Sequence, residues 1–202
     1  MAASTSDRLV DLLGNILKLL QEKKRSARDL CDVLQVVKEH EDFAWRLLGR
    51  ARSTWVMVGG IPADQLLTKL VHSNCDVHPW ARDLMSRPEF VTSTTPKKVP
   101  FMRKTVKELG FTSSPTTTQV FECINGLGKL CQPEDGAWLV MGDQPCGDIL
   151  WVAMKPIIGS GGIPEIFQNK RLSDGSWCLN TSDARPDRQW ELDDSFVFRS
   201  RE

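Results

Sequence analysis

A chain of 202 residues, 41% of them apolar and 26% charged, has the make-up of a folded globular protein, long enough to bury roughly 70% of its unfolded surface in one large domain or two small ones. Its 26 basic residues balance its 26 acidic ones, so no net field steers it toward polyanions, and a nucleic-acid role would need a local patch. No apolar run reaches the roughly 18 residues of a membrane span, Met1 to Ser6 lack the features of a secretory signal, and the six cysteines (Cys31, Cys75, Cys123, Cys131, Cys146 and Cys178) contain no Cys-x-x-Cys pair, so we expect reduced thiols in a cytoplasm.

From the N-terminus, Leu9, Leu12, Leu13, Ile16, Leu17 and Leu20 recur at helical spacing behind Thr5 and Ser6 as candidate caps. The basic cluster Lys23, Lys24 and Arg25 suits the end of that helix electrostatically. Ser26 with Asp29 opens a second helix carrying Leu30, Val33, Leu34 and Val37, and a third holds Phe43, Trp45, Leu47 and Leu48. Three short amphipathic helices either close a small bundle or present one apolar face for assembly.

Ser53 to Val58 changes character: Trp55, Val56, Met57 and Val58 read as a strand stopped by Gly59 and Gly60. Pro62 then stands at a favourable helix start, and Leu66, Leu67, Leu70 and Val71 carry a helix toward Asn74. Pro79 to Met85 adds a helical turn. The polar, proline-punctuated stretch from Thr92 to Pro100 predicts a linker. The expected organisation is therefore a helical domain with a strand-helix unit at 1–91, a linker at 92–100 and a tryptophan-rich domain at 101–202.

Beyond the linker, Phe101 to Val106 predicts a strand and Thr117 to Leu130 a helix weakened by Gly126 and Gly128. Apolar runs at Ala137 to Met141, Ile149 to Met154 and Ile163 to Phe167, separated by turn residues, predict three strands. Ser176 to Leu179 and Phe196 to Phe198 complete the sheet. The fold expected is α+β: an N-terminal helical segment with a strand-helix unit, then a mainly antiparallel sheet with one packed helix.

Three groups bear on chemistry. His72, Cys75 and His78 place three metal donors within seven positions, but zinc sites normally present a second donor pair, and ordinary loop histidines with a buried thiol account for them. Gly159 to Gly162 lacks the lysine and following Ser/Thr of a phosphate loop and reads as a hairpin turn. Asp183, Asp187, Glu191, Asp193 and Asp194, mixed with Arg185 and Arg188, suit a solvated surface better than paired catalytic acids or calcium ligands. No catalytic set, metal site or cofactor motif is complete, so neither enzyme activity nor a cofactor is expected.

Lys97, Lys98, Arg103, Lys104 and Lys107 form the only sustained basic stretch, and no interleaved aromatic pattern accompanies it for base stacking. Seven tryptophans without a tyrosine are less ordinary. Trp151 reads as core. Trp177 and Trp190, among Asp, Asn, Arg and Gly, divide evenly between core and the rim of a recognition surface. The partner-binding set expected is Trp177, Arg185, Asp187, Arg188 and Trp190.

The segments Trp151 to Ile158, Asp174 to Trp177, Arg185 to Trp190 and Phe196 to Phe198 together resemble the C-terminal part of an uncharacterised set of bacterial hypothetical proteins. The resemblance covers roughly the second half, with a weaker echo at Val33 to Lys38 and Trp55 to Ala81. It implies a bacterial origin and carries no activity, cofactor or site residue. The function expected is a non-enzymatic binding protein whose partner is another protein. The alternative is a small nucleic-acid-associated regulator using the N-terminal helices and Lys97 to Lys107.

Overall fold

The computed structural model describes residues 53–142 and 149–201. The chain divides into two units, Met1–Arg52 and Ser53–Glu202, and the described residues all belong to the second. The three helices expected before Ser53 lie outside the described residues.

Among the described residues nine strands form one mixed sheet. They are β1 (Ser53–Val58), β2 (Cys75–Val77), β3 (Lys97–Thr105), β4 (Gly128–Lys129), β5 (Ile149–Val152), β6 (Ile157–Ile158), β7 (Pro164–Arg171), β8 (Trp177–Asp183) and β9 (Ser195–Ser200). Their order is β1-β3-β9-β5-β7-β8-β2, with β4 beside β9 and β6 beside β7. Most neighbours are antiparallel; β5 with β9 and β2 with β8 are parallel. The helices are α1 (Ala63–His72), α2 (Pro79–Met85), α3 (Thr117–Leu127) and α4 (Asp135–Met141), with a 3-10 turn at Lys107–Leu109. The coarse α+β expectation therefore holds, but the strand expected at Ser53 to Val58 belongs to the same sheet as the C-terminal strands. Among the described residues two helices, α3 and α4, pack on its C-terminal part where one was expected.

The pleat sorts side chains to two faces. One face carries Val197 and Arg199 of β9, Phe101 of β3 and Phe167 and Asn169 of β7, and against it lies α4. Arg199 reaches Asp135, and Asn169 Nδ2 donates to the Gly136 carbonyl at 3.2 Å. A Cβ at Gly136 would stand 2.9 Å from the Phe167 Cβ, so helix and sheet approach here at a distance only glycine allows. On the opposite face α3 covers Phe196, whose ring meets Phe121 edge-on at 6.4 Å.

The sequence explains these helices locally. α1 buries Leu66 and Leu70, one turn apart, and leaves Val71 exposed. α3 begins with a capping box: Thr116 Oγ1 accepts from the Gln119 N–H and Gln119 Oε1 accepts from the Thr116 N–H at 2.8 Å. It stops earlier than the expected Leu130, because Gly128 already pairs with Ser200 in β4.

Two expectations change. Ala137 to Met141 is not a strand but most of α4. Asp135 to Val140 are all buried, so the run is apolar on every side and shows no helical period; a short buried helix and a buried strand then read alike. The 92–100 stretch is not all linker, since Lys97 to Pro100 form the first half of β3 and pair with β1.

Candidate interaction surface

The residues expected to bind a partner are only partly brought together. Trp190 has no accessible surface. Its ring meets Phe196 at 4.8 Å and Trp151 at 5.5 Å, both edge-on, and its Nε1–H donates to Thr117 Oγ1 at 3.0 Å. This is a satisfied core tryptophan that ties the β8–β9 loop to α3, and the recognition role expected of it is corrected. Arg188 stacks over the same ring at 4.3 Å and donates to Ser182 Oγ (3.0 Å) and the Asp183 carbonyl (2.7 Å). Arg185 is exposed and pairs with Asp183 at 2.8 Å; Asp187 is exposed beside it in sequence. Burial alone would raise the Asp183 pKa, but the Arg185 N–H and guanidinium and the charges of Arg185 and Arg188 hold it below the usual carboxylate value. Half-buried Trp177 begins β8 whereas Asp183 ends it, roughly 20 Å away at about 3.3 Å per residue. The five residues therefore make no single surface.

The basic stretch is divided by the pleat. Lys98 and Lys104 fall on one face of β3 and Lys97 and Arg103 on the other. Arg103 is half-buried and donates to Ser195 Oγ at 2.9 Å, and Lys107 stands in the 3-10 turn. Five cations in sequence do not become one phosphate-binding row.

His72, Cys75 and His78 do not converge either. The Cys75 thiol points to the Val140 carbonyl at 3.5 Å, and His78 Nδ1 accepts from the Trp80 N–H at the start of α2. Among the described residues no three His, Cys, Asp or Glu side chains gather as metal ligands. Burial raises the pKa of the Cys75 and Cys178 thiols, and lifts Cys131 well above the free value, with the Asp135 charge adding to it. They remain thiols at neutral pH rather than nucleophilic thiolates. Gly159 to Gly162 turns between β6 and β7, and its Ser160 N–H donates to Asp83 at 2.7 Å.

Sequence reasoning missed a buried pair of acids at the start of α4. Asp135 receives Arg199 on both oxygens, at 2.7 and 2.8 Å, and the Gln132 N–H at 2.7 Å. Glu134 accepts the Ser93 N–H on one oxygen (3.0 Å) and Trp138 Nε1–H on the other (3.2 Å). Burial pushes the Glu134 carboxyl up, against the pull of those two donors. Every oxygen is occupied by the fold itself, so the pair clamps the 93 loop, α4 and β9 together. The only sequence signal was two adjacent acids just before an apolar run. A concavity of about 350 Å³ lies elsewhere, between Asn74, Asp76, Asp174 and Ser176.

Among the described residues, one edge of the sheet is unguarded. Among the described residues no strand lies beyond β1, which pairs only with β3. Alternate residues of an antiparallel strand turn their N–H and C=O groups to the side away from the partner, so β1 offers an open ladder. Trp55 and Met57 project from one face, 51% and 53% exposed, and Lys98 sits over the Trp55 ring at 5.6 Å. The other edge, β2, is three residues long and carries Asp76.

Comparisons with protein-family models, with curated proteins and with solved structures returned no match. Among the described residues no helix is long and apolar enough to cross a membrane.

Proposed function

We propose that this chain is a non-enzymatic binding protein of a bacterial cytoplasm and that it receives another polypeptide along β1. One observation carries the reading: the six-residue edge strand β1 has two large apolar side chains half exposed on one face and no charge of its own. Soluble proteins ordinarily protect such an edge with lysine, proline, a bulge or shortness, and strand addition is a common mode of peptide recognition. The contact surface moves from the Trp177 to Phe198 region to β1, because Trp190 is occupied in the core.

The test places a photo-crosslinking amino acid at Met57 of the full chain, and a control at exposed Ser173, in the native host. A discrete adduct with another polypeptide from position 57, and none from position 173, is the result expected. Absence of any adduct from position 57 would end the reading.

A further inference from the structure

The charges around β1 bear on what kind of strand pairs with it. Ser53 to Val58 carries no ionisable side chain, and its neighbour β3 from Lys97 to Thr105 carries only cations: Lys97, Lys98, Arg103 and Lys104. Lys98 stands opposite Met57 and Lys97 opposite Val58. Both are exposed, and among the described residues neither makes an ion pair. The first acid past β3, Glu108, is already engaged, accepting from the Thr105 N–H and hydroxyl at 2.8 and 3.1 Å. We infer that β1 takes an extended, acidic peptide segment of a partner protein, with carboxylates meeting Lys97 and Lys98 and an apolar residue lying against Trp55 and Met57. This rests on the proposal that β1 is the edge that receives a polypeptide.

The geometry allows it. Strands lie about 4.8 Å apart, so an added strand runs roughly 10 Å from β3, a gap that a lysine stem and a glutamate side chain span between them. The two lysines alternate across the pleat, so each face of the added strand has its own cation. A second copy of this chain is the poorer occupant, because it would bring the same uncompensated lysines to the junction. A nucleic-acid strand cannot supply the alternating N–H and C=O groups that the open ladder needs.

Fluorescence anisotropy on the full chain tests the inference with three labelled peptides of about ten residues, a usual upper length for a strand. The first repeats Val-Val-Glu-Glu, so that each face presents both an apolar side chain and a carboxylate, the second has lysine for glutamate, and the third is the first with a central proline. The glutamate peptide is expected to bind at least about tenfold tighter than the lysine peptide at low salt, the gap narrowing as salt rises. Lys97→Glu with Lys98→Glu should reverse that order, and the proline peptide should bind about tenfold more weakly than its parent, having lost a ladder donor. Melting curves confirm that the doubly substituted chain is folded; if it is not, Lys98→Gln alone, which should at least halve the preference, replaces it. Equal binding of both charges, no binding of either, or a charge preference indifferent to the lysines overturns the acidic-strand inference. An adduct from Met57 in the host would then leave the binding reading standing, whereas loss of that adduct removes both.

Discussion

Trp190 sits in sequence between Gln189 and Glu191, two residues after Arg188, and its neighbours on the chain describe a surface. Its neighbours in space are Trp151, Phe196 and Thr117, and they decide the matter by enclosing the ring and satisfying its N–H. Truncating such a side chain leaves a cavity and takes from the Thr117 oxygen the N–H it accepts, so Trp190→Ala should cost about 3 to 5 kcal/mol in denaturant unfolding. A loss below about 1 kcal/mol would contradict the packing described. Glu134 gives a second residue-scale expectation. Glutamine can accept only one of the two N–H donors and points its own NH₂ at the other, so Glu134→Gln should destabilise by about 1 to 3 kcal/mol. The native carboxyl titrates above its unfolded value, so its contribution is fullest below the unfolded pKa of about 4.3 and is lost as pH rises through the folded one. The glutamine deficit should therefore be largest in acid and shrink toward neutrality; a deficit that grows toward neutrality would refute that assignment. None of this clamp was legible beforehand, since Ser93 and Arg199 lie 41 and 64 residues from the acids they hold.

At the scale of elements, legibility followed periodicity. α1 and α2 and the strands β1, β5, β7, β8 and β9 announced themselves through apolar spacing and the Gly and Pro that bound them. α4 did not, because a helix buried on every side has no polar face to reveal its turn. Lys97 to Pro100 did not either: two lysines and a proline suit a linker until β1 is found opposite them. The close approach of α4 to the sheet supplies a test. Gly136→Ala gains helix propensity of about 1 kcal/mol, yet its methyl group must displace the Phe167 side chain from 2.9 Å. A net destabilisation of about 1 to 3 kcal/mol is expected from such overpacking. A melting temperature raised by the substitution would show that the helix stands farther from β7. By contrast, Met57→Lys should leave unfolding within about 0.5 kcal/mol of the parent, as exposed positions do, while lowering any tendency to associate at high concentration in light scattering.

For the whole molecule, what could not be read was the strand order. Composition and alternation give strands, but the neighbours β1 with β3, β5 with β9 and β2 with β8 are pairings across roughly 40 to 100 residues that nothing local dictates. Long-range pairing of this kind exacts loop-closure entropy before contacts repay it, so refolding of the 53–202 unit within the full chain should run in milliseconds to seconds or slower. Stopped-flow tryptophan fluorescence would show this, and completion in microseconds would be incompatible with the topology.

The place of β9 within that order has a further result. It lies between β3 and β5 and so joins the two halves of the sheet, yet its residues follow those of every other strand. A ribosome must therefore release every other strand of the sheet before either half acquires the ribbon between them. Until then β3 waits with only β1 at its side, and Phe196 is not yet present to close the aromatic centre under α3. A nascent chain stalled before Ser195 would carry two unfinished half-sheets, each with a raw border, and would be a natural client for chaperones during synthesis.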